Sequence, residues 1–364
     1  MTQYTGDLPF NGTNNEQEQT NWRGTPPLDA TLSLTNTHKS PFQFHGNGKE
    51  YFGIWIVNLC LTIVTLGIYS AWAKVRNQQY FYGNTELEGA TFEYTADPLK
   101  ILAGRIIASV FFALYVFAEN FSLVWALAAT GAFFVFMPWA IRQSLRFNAR
   151  FSLYRNIPFV FRGSLGGAYK AFLLWPILGV ITVGILMPFA IYQQQKYIVG
   201  QHQFGTSPFT FTARPGEFYA LFGILLGVTV GWIALLAVGF VVLQTLGMVL
   251  MVPVWLGGYL LLFAIFNVQM ANITYGSSYV GQHSFAPNWR VGSYFKLLFT
   301  NTLFTLLTLG LFIPWAKVRS AKYAAEHTDA VVFGDLDEFI SEQDEKVSTL
   351  GEGIGDLFDL DVGV

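Results

Sequence analysis

The sequence predicts an all-α polytopic membrane protein, with about seven transmembrane helices in two and a half internal repeats and short β-hairpins at the membrane surface. Three observations predict this fold class. The 364 residues are 52% hydrophobic and only 12% charged, which is about half the charged fraction of an ordinary soluble domain. Several stretches without Asp, Glu, Lys or Arg are long enough to cross a bilayer. Finally, one apolar phrase recurs along the chain.

The predicted spans follow one another between residues 51 and 316. Most are uncharged runs of about twenty residues, the length that a transmembrane helix needs. One run carries Arg105 near its end, where a long side chain can reach the interface. The segments are 51–73, 101–118, 121–141, 171–195, two within 218–266, and 297–316. The polar N-terminus lacks the pattern of a signal peptide, and we expect an uncleaved tail.

Two distant stretches read almost alike: "TLGIYSAWAKVRNQQY" at 65–80 and "TLGLFIPWAKVRSAKY" at 308–323. A degraded version of the phrase, with "TVG", lies at 182–184. Similarity at a constant offset predicts internal repeats. The predicted organisation is a polar flexible tail at 1–40, membrane repeat 1 at 41–160, membrane repeat 2 at 161–286, a truncated repeat 3 with the last transmembrane helix at 287–325, and an acidic tail at 326–364.

A second recurrent element lies between the apolar runs. The phrases "FQFHG" at 42, "TFEY" at 91, "FVFRG" at 159 and "FTFTA" at 209 place aromatic residues at alternate positions. This alternation is typical of β-strands. The stretch "GNTELEGATFEYTADP" further predicts a strand, a glycine turn and a second strand. We therefore expect short β-hairpins joined to the helix ends, with extended loops as the alternative.

The stretch "FQFHGNGKEYFGIWIVNLCLTIVTLGIYSAWAKVRNQQYFYGNTELEG" resembles the YjgN family of bacterial inner-membrane proteins, which are grouped as a domain of unknown function. The resemblance covers about residues 41–325. It implies a multi-pass protein of the bacterial inner (plasma) membrane and carries over no catalytic residue. The chain departs from the family pattern at Ala71, where proline is usual, and at the "TVG" of repeat 2.

Two topologies remain open. If all seven segments cross the membrane, a moderate positive-inside bias places the N-terminus outside and the C-terminus in the cytoplasm. If the three segments with "TLG" or "TVG" instead dip in and return, all twenty basic residues of the body fall on one side. Seven crossings is the favoured topology because each segment is long enough to cross. The repeats would then be inverted, as in many secondary transporters.

Polar residues are sparse within the predicted spans. Asn58 and Asn301 occupy equivalent places in repeats 1 and 3, and threonines follow them at helical spacing. Such a stripe is a candidate polar path for a small solute, although hydrogen bonding between helices is an alternative role. The path residues are Asn58, Thr62, Thr65, Asn301, Thr305 and Thr308.

Tryptophans followed by cations mark the ends of several apolar runs. This order predicts interfacial anchors, with the aromatic ring at the level of the lipid headgroups. The alternative is a group of cations that binds an anionic lipid or solute. The predicted anchors are Trp72, Lys74, Arg76, Trp139, Arg142, Trp315, Lys317 and Arg319.

Charge is distributed unevenly along the chain. Residues 1–325 hold 20 lysines and arginines against 11 acids, whereas residues 326–364 hold one lysine against 12 acids. The acidic tail has apolar residues at helical spacing, which predicts that it docks on the basic body, recruits an unidentified partner, or stays disordered. The expected partners are the lipid bilayer and anionic lipid at the basic loops, and nucleic acid is not expected.

No catalytic motif stands out in the sequence. The chain lacks the common hydrolase, phosphate-loop and dinucleotide patterns, and its histidines are scattered. We therefore expect no enzyme activity, no catalytic, cofactor or metal residues and no cofactor. The leading hypothesis is passage of a small solute or lipid between inverted repeats. The alternative is a scaffold of the cell envelope that does not transport and acts through basic loops and an acidic cytoplasmic tail.

Overall fold

The computed structural model describes the backbone of residues 37–358. Within that range it describes every side chain except those of residues 119, 243–250, 348 and 350–358. The predicted polar tail, residues 1–40, therefore lies almost wholly outside the described residues. From His38 onward, the described chain forms one compact unit.

Pairs of strands alternate with pairs of helices along the described chain. The strands are β1 (Thr37–Pro41), β2 (Gln43–Phe44), β3 (Thr85–Leu87), β4 (Ala90–Tyr94), β5 (Ser152–Tyr154), β6 (Ile157–Phe161), β7 (His202–Phe204), β8 (Ser207–Phe211), β9 (Ser278–Val280), β10 (His283–Pro287) and β11 (Thr328–Phe333). The helices are α1 (Gly48–Val64), α2 (Ser70–Gly83), α3 (Pro98–Glu119), α4 (Leu123–Arg150), α5 (Leu165–Ile181), α6 (Met187–Gly200), α7 (Pro215–Leu250), α8 (Val252–Gly276), α9 (Val291–Leu307), α10 (Ile313–Glu326) and α11 (Leu336–Phe358).

The eleven strands form one sheet in the order β1-β11-β10-β9-β8-β7-β6-β5-β4-β3-β2. Neighbours from β2 to β11 pair antiparallel, with Phe92 opposite Tyr154 in one ladder and Phe285 opposite Ala330 in another. The two ends of the sheet, β1 and β2, are separated along the chain by Phe42 alone. The sheet is therefore nearly closed and barrel-like, and we refer to it as the barrel.

The barrel overturns the predicted all-α fold with short β-hairpins at the membrane surface. An isolated hairpin is marginally stable at best, and its edges leave backbone N–H and C=O groups unpaired. Pairing each hairpin with the next satisfies those groups and encloses an apolar interior. Strand β4 pairs with β5 across the whole of α3 and α4. Local periodicity in the sequence carries no signal for such a distant pairing.

The prediction of seven transmembrane helices is also wrong. Within the described residues, four helices are long and apolar enough to cross a membrane, namely α3, α4, residues Pro215–Val242 of α7, and α8. The segments with "TLG" or "TVG" are helical hairpins instead. Helix α1 has 17 residues, which gives about 25 Å against a hydrocarbon core of about 30 Å. The Tyr80 hydroxyl donates to the Asn47 carbonyl oxygen at 2.9 Å, so α2 returns to the level at which α1 began.

The recurrent phrase forms the tip of each short hairpin. Leu66 and Gly67 have φ values of 50° and 94°, the left-handed conformation that ends many helices. The Thr65 hydroxyl donates to the Leu61 carbonyl oxygen and accepts from the Tyr69 backbone N–H. The same pair of positive φ values recurs at 183–184 and 309–310. The phrase is therefore a turn between two helices and does not mark where a single span ends.

The five helical hairpins of the described chain stand in a ring. We call α1–α2, α5–α6 and α9–α10 the short hairpins, and α3–α4 and α7–α8 the long hairpins. The packing pairs are α2 with α3, α4 with α5, α6 with α7, α8 with α9, and α10 with α1. The last pair closes the ring, because the Trp315 side chain packs over Gly48 and lies 5.0 Å from the Phe52 ring. The base of every hairpin joins the barrel.

Candidate functional site

A central cavity of about 540 Å³ lies where the helix ring meets the barrel, and it is partly open to its surroundings. Strands on every side of the barrel and the C-terminal turns of α6, α8 and α10 contribute to its wall. Apolar and aromatic side chains predominate. The lining residues are Phe42, Thr85, Phe159, Ile198, Val199, His202, Phe209, Thr274, Tyr275, Ser278, Phe285, Ala321, Ala324, Ala325 and Thr328.

Three of the four phenylalanines that line the cavity, Phe42, Phe159 and Phe209, come from the recurrent aromatic phrases, and Phe285 comes from β10. Phe159, Phe209 and Phe285 lie on three different strands, and Phe42 lies between β1 and β2. The four rings form one layer, in which the Phe42 and Phe285 rings lie 6.4 Å apart and the Phe159 and Phe209 rings also lie 6.4 Å apart. Phe92 on β4 joins this layer at 6.3 Å from Phe42. The alternation that predicts strands in the sequence therefore supplies an aromatic floor for the cavity.

The polar groups of the cavity wall are mostly occupied by the protein itself. The hydroxyls of Thr85 and Ser278 donate to backbone carbonyls one helical turn earlier. The Thr328 hydroxyl accepts from the Trp289 indole. His202 Nδ1 lies 2.6 Å from the Ile198 carbonyl oxygen, and burial lowers the pKa of this histidine. The ring is therefore neutral at neutral pH, and the cavity offers a mainly apolar surface together with this imidazole, Thr274 and Tyr275.

The far side of the aromatic floor is closed by a second apolar layer and by α11. The layer includes Leu87, Tyr154, Phe204 and Val280, and Ile340 of α11 packs into it with 9% of its surface exposed. Gln343 of α11 is 1% exposed. Its Oε1 accepts from the backbone N–H and the hydroxyl of Thr206, at 3.0 and 2.8 Å.

Two charged groups fix the start of α11 to the rim of the barrel. Arg155 forms an ion pair with Asp337 and donates to the Glu88 carbonyl oxygen at 2.8 Å. The acidic tail therefore docks on its own chain at least as far as Gln343, one of the alternatives that the sequence left open. The apolar spacing of the tail signalled this contact, whereas nothing in the sequence singled out Arg155 or Gln343.

The six predicted path residues do not line the cavity described here. Asn58 Nδ2 donates to Asn77 Oδ1 at 3.3 Å, inside the first short hairpin. Asn301 Oδ1 accepts from Arg319 at 2.7 Å, inside the last short hairpin. The hydroxyls of Thr62, Thr65 and Thr308 donate to carbonyl oxygens of their own helices, and the Thr305 carbonyl oxygen accepts from Gly310 in the turn. A path along these residues stays a prediction.

The predicted anchors lie on the hairpins, and several of them contact other parts of the protein. Trp72 stacks on Tyr69, whose hydroxyl accepts from Arg76 at 3.3 Å. Trp315 belongs to the ring closure, and Arg319 to the hairpin seam. Trp139 packs on Phe136, and Arg142 donates to the Gly163 carbonyl oxygen. Lys317 is exposed, and Lys74 lies beside Arg105.

His283 is the first residue of β10, and its side chain packs against α11. This environment predicts that the stability of the protein depends on pH. Its Nδ1 accepts from the Phe333 backbone N–H at 3.2 Å, and its ring lies 4.5 Å from that of Phe339. Burial lowers the pKa of His283, so the unfolded chain takes up the proton first, near an ordinary value of about 6.5. The stability contributed by the neutral ring is therefore complete above that pH and is lost as the pH falls below it.

We expect the melting temperature to fall as the pH is lowered from 7 towards 5. The variant His283→Gln keeps a hydrogen-bond acceptor but cannot take up the proton, and should show a smaller fall. Thermal unfolding of the detergent-solubilised protein at several pH values measures both slopes. Equal slopes in the two proteins would show that His283 does not carry the effect.

The comparisons with known proteins agree with a membrane location. A family described as "Bacterial protein of unknown function (DUF898)" matches residues 39–357. The inner membrane protein YjgN of Escherichia coli K12 is 32% identical over 149 residues, 39% of this chain and 36% of that protein. The Salmonella typhimurium protein of the same name is 26% identical over 166 residues, 44% of this chain and 41% of that protein. The chain thus matches about two fifths of these relatives' length. No solved structure matches.

Proposed function

Because this chain belongs to the DUF898 family of bacterial proteins, whose curated relatives are named inner membrane proteins, we propose that it is an inner-membrane protein that takes up a lipid-like molecule. The ligand is an apolar or amphiphilic molecule that reaches the central cavity from the bilayer. The observation that carries the proposal is the position of this cavity, between the ring of helical hairpins and a closed aromatic floor.

The chemistry of the wall favours an apolar ligand over a polar solute. The hydroxyls of Thr85, Ser278 and Thr328 are engaged with protein groups, so a polar solute that left water would find few partners there. Apolar surface, in contrast, is available over most of the wall. A volume of about 540 Å³ also lies within the range of about 300–1,000 Å³ that is usual for small-molecule sites.

The hairpins supply the contact with the bilayer. The tips of the short hairpins expose Leu66, Val183 and Leu309, at 95%, 92% and 95% of their surface. Exposed apolar patches of this kind mark contacts with membranes or partners. We infer that the short hairpins enter one leaflet of the bilayer, whereas the helices of the long hairpins cross the whole bilayer. The barrel and both ends of every hairpin would then lie on one side, which we take to be the cytoplasm because basic residues concentrate there.

Filling the cavity tests this function. Ala324→Phe places a large ring in the cavity from α10, whereas Ala108→Phe makes the same change on the exposed face of α3. We expect Ala324→Phe to lower binding of a fluorescent acyl probe at least about tenfold, which corresponds to ~1.4 kcal/mol. Binding by Ala108→Phe should match that of the native protein. Equal binding by all three proteins would place the probe outside the cavity and refute the proposal.

The envelope-scaffold role is the second candidate function. It is supported by the acidic side of α11, where Glu338, Glu342 and Asp344 remain exposed although the apolar side packs on the barrel. A partner with a basic surface would find this face accessible. Deletion of the whole tail from residue 326 is an unsuitable test, because it removes β11 and opens the barrel.

A further inference from the structure

A second site lies away from the central cavity, in a groove between α2 and α3. The groove has a volume of about 260 Å³ and is lined by Ser70, Ala73, Lys74, Asn77, Gln78 and Arg105. All six side chains are partly exposed. Two cations, two amides and one hydroxyl therefore face the same small space.

The positive charge of the groove is not neutralised by the protein. Among the residues that the structure describes, neither Lys74 nor Arg105 is ion-paired with a carboxylate. Arg105 donates to the Ser70 hydroxyl, which leaves its other guanidinium N–H groups for a ligand. Lys74 and Arg105 are two cations that line the same confined space, where like charges repel each other. An anion between them would relieve this repulsion.

The groove also lies at a defined place relative to the apolar surface. Ser70 is the first residue of α2 and follows the exposed tip at Leu66 and Ile68. Arg105 belongs to α3, one of the helices that can span the membrane. Trp72 follows two residues after Ser70, and tryptophan side chains are enriched at the level of the lipid headgroups. A molecule in the groove would therefore have its anionic part beside the cations and its apolar part along the hairpin.

We propose that this groove binds the phosphate of an anionic phospholipid headgroup. Lys74 and Arg105 contact the phosphate oxygens, and Asn77 and Gln78 supply amide N–H groups to the remainder of the headgroup. The side-chain oxygen Oδ1 of Asn77 already accepts from Asn58 Nδ2, so the side-chain N–H groups of Asn77 are oriented away from that bond. Basic pockets between membrane helices bind such headgroups in other proteins. The site is independent of the central cavity and of any ligand there.

The experiment measures lipid bound to the full-length protein. The protein is reconstituted in nanodiscs that contain phosphatidylcholine with a minor fraction of phosphatidylglycerol, and lipid retained after extraction is quantified by mass spectrometry. We expect Lys74→Gln and Arg105→Gln each to lower the enrichment of phosphatidylglycerol about fivefold, the effect of about one cation at a membrane surface. Retention of phosphatidylcholine should not change.

Three controls keep the test decisive. Lys49→Gln removes an exposed cation at the base of α1 and should leave the enrichment intact. Arg105→Lys keeps the charge and should retain most of the enrichment, which separates loss of charge from misfolding. Millimolar inorganic phosphate is added to the native protein to distinguish the source of the phosphate. If it abolishes the enrichment, the ligand is a soluble phosphate and the lipid assignment fails. Equal enrichment in Lys74→Gln, Arg105→Gln and the native protein would also overturn the proposal.

Discussion

Replacement of Gly48 by alanine should destabilise the protein strongly, because Gly48 sits where the helix ring closes. A Cβ atom at this position would lie 2.3 Å from Trp315 Cδ1 and 2.8 Å from its Nε1. Such distances require the indole ring to move, and Trp315 is held by its contact with Phe52. Overpacking of this kind typically costs about 1–3 kcal/mol. We expect Gly48→Ala to lower the melting temperature and to loosen the packing of α10 on α1.

Gly53 provides the matched control, since it lies on the same helix and its Cβ position would point into open space, with no atom within 4 Å apart from its chain neighbours and the helix's own backbone. Gly53→Ala should leave stability unchanged or raise it by up to about 1 kcal/mol, because alanine favours the helix. Thermal unfolding of both variants in one detergent gives the comparison. If the two variants unfold together, the contact between Gly48 and Trp315 does not close the ring.

The repeated phrase shows why the sequence supported a fold that the structure corrects. Within an uncharged run, "TLG" reads as the loosened end of one span, since glycine and the following cations both occur there. The structure uses Thr65 as a capping residue and Leu66 with Gly67 as a left-handed turn between helices. Both interpretations satisfy the local rules for helix ends. The number of crossings depends on whether α2 packs back on α1, which is a tertiary contact.

The hypothesis of inverted repeats depended on seven crossings and fails for the same reason. Inversion requires an odd number of crossings in each repeat, whereas residues 41–160 hold one short and one long hairpin, both of which begin and end at the barrel. The strands, in contrast, were predictable from the aromatic alternation around Phe42, Phe159 and Phe209. The assembly of the strands into one sheet was not predictable, because each β-hairpin pairs with the next one across an intervening pair of helices.

The cavity residues divide in the same way. Phe42, Phe159 and Phe209 belong to phrases that the sequence singles out as strands. Ala321, Ala324 and Ala325 carry no chemical signal, and they line the cavity only because α10 closes the ring beside α1. Such small residues can be recognised as part of a cavity wall only once the fold is known. The polar side chains that stand out in the apolar runs, Asn58 and Asn301, lie instead inside the short hairpins and away from the cavity.

Replacement of Ile340 by alanine should weaken the attachment of α11 to the barrel. Ile340 packs with Val280 and Val332 in the apolar layer beneath the aromatic floor, and loss of a buried isoleucine side chain costs about 2–5 kcal/mol. The remaining attachments are the apolar contacts of Leu336 and Phe339 with the barrel, the hydrogen bonds of Gln343 and the ion pair of Asp337 with Arg155. Since the Asp337 side chain is largely exposed, that ion pair contributes about 1 kcal/mol or less.

We expect amide hydrogen exchange in residues 336–347 of Ile340→Ala to accelerate while the helix ring keeps its protection, because α11 is the element that this side chain attaches. Ser341→Ala changes an exposed neighbour on the same helix and should exchange like the native protein. Faster exchange throughout the barrel of Ile340→Ala would instead mean that α11 and the barrel unfold as one unit. In that case α11 is part of the fold and cannot act as a separate closure of the cavity floor.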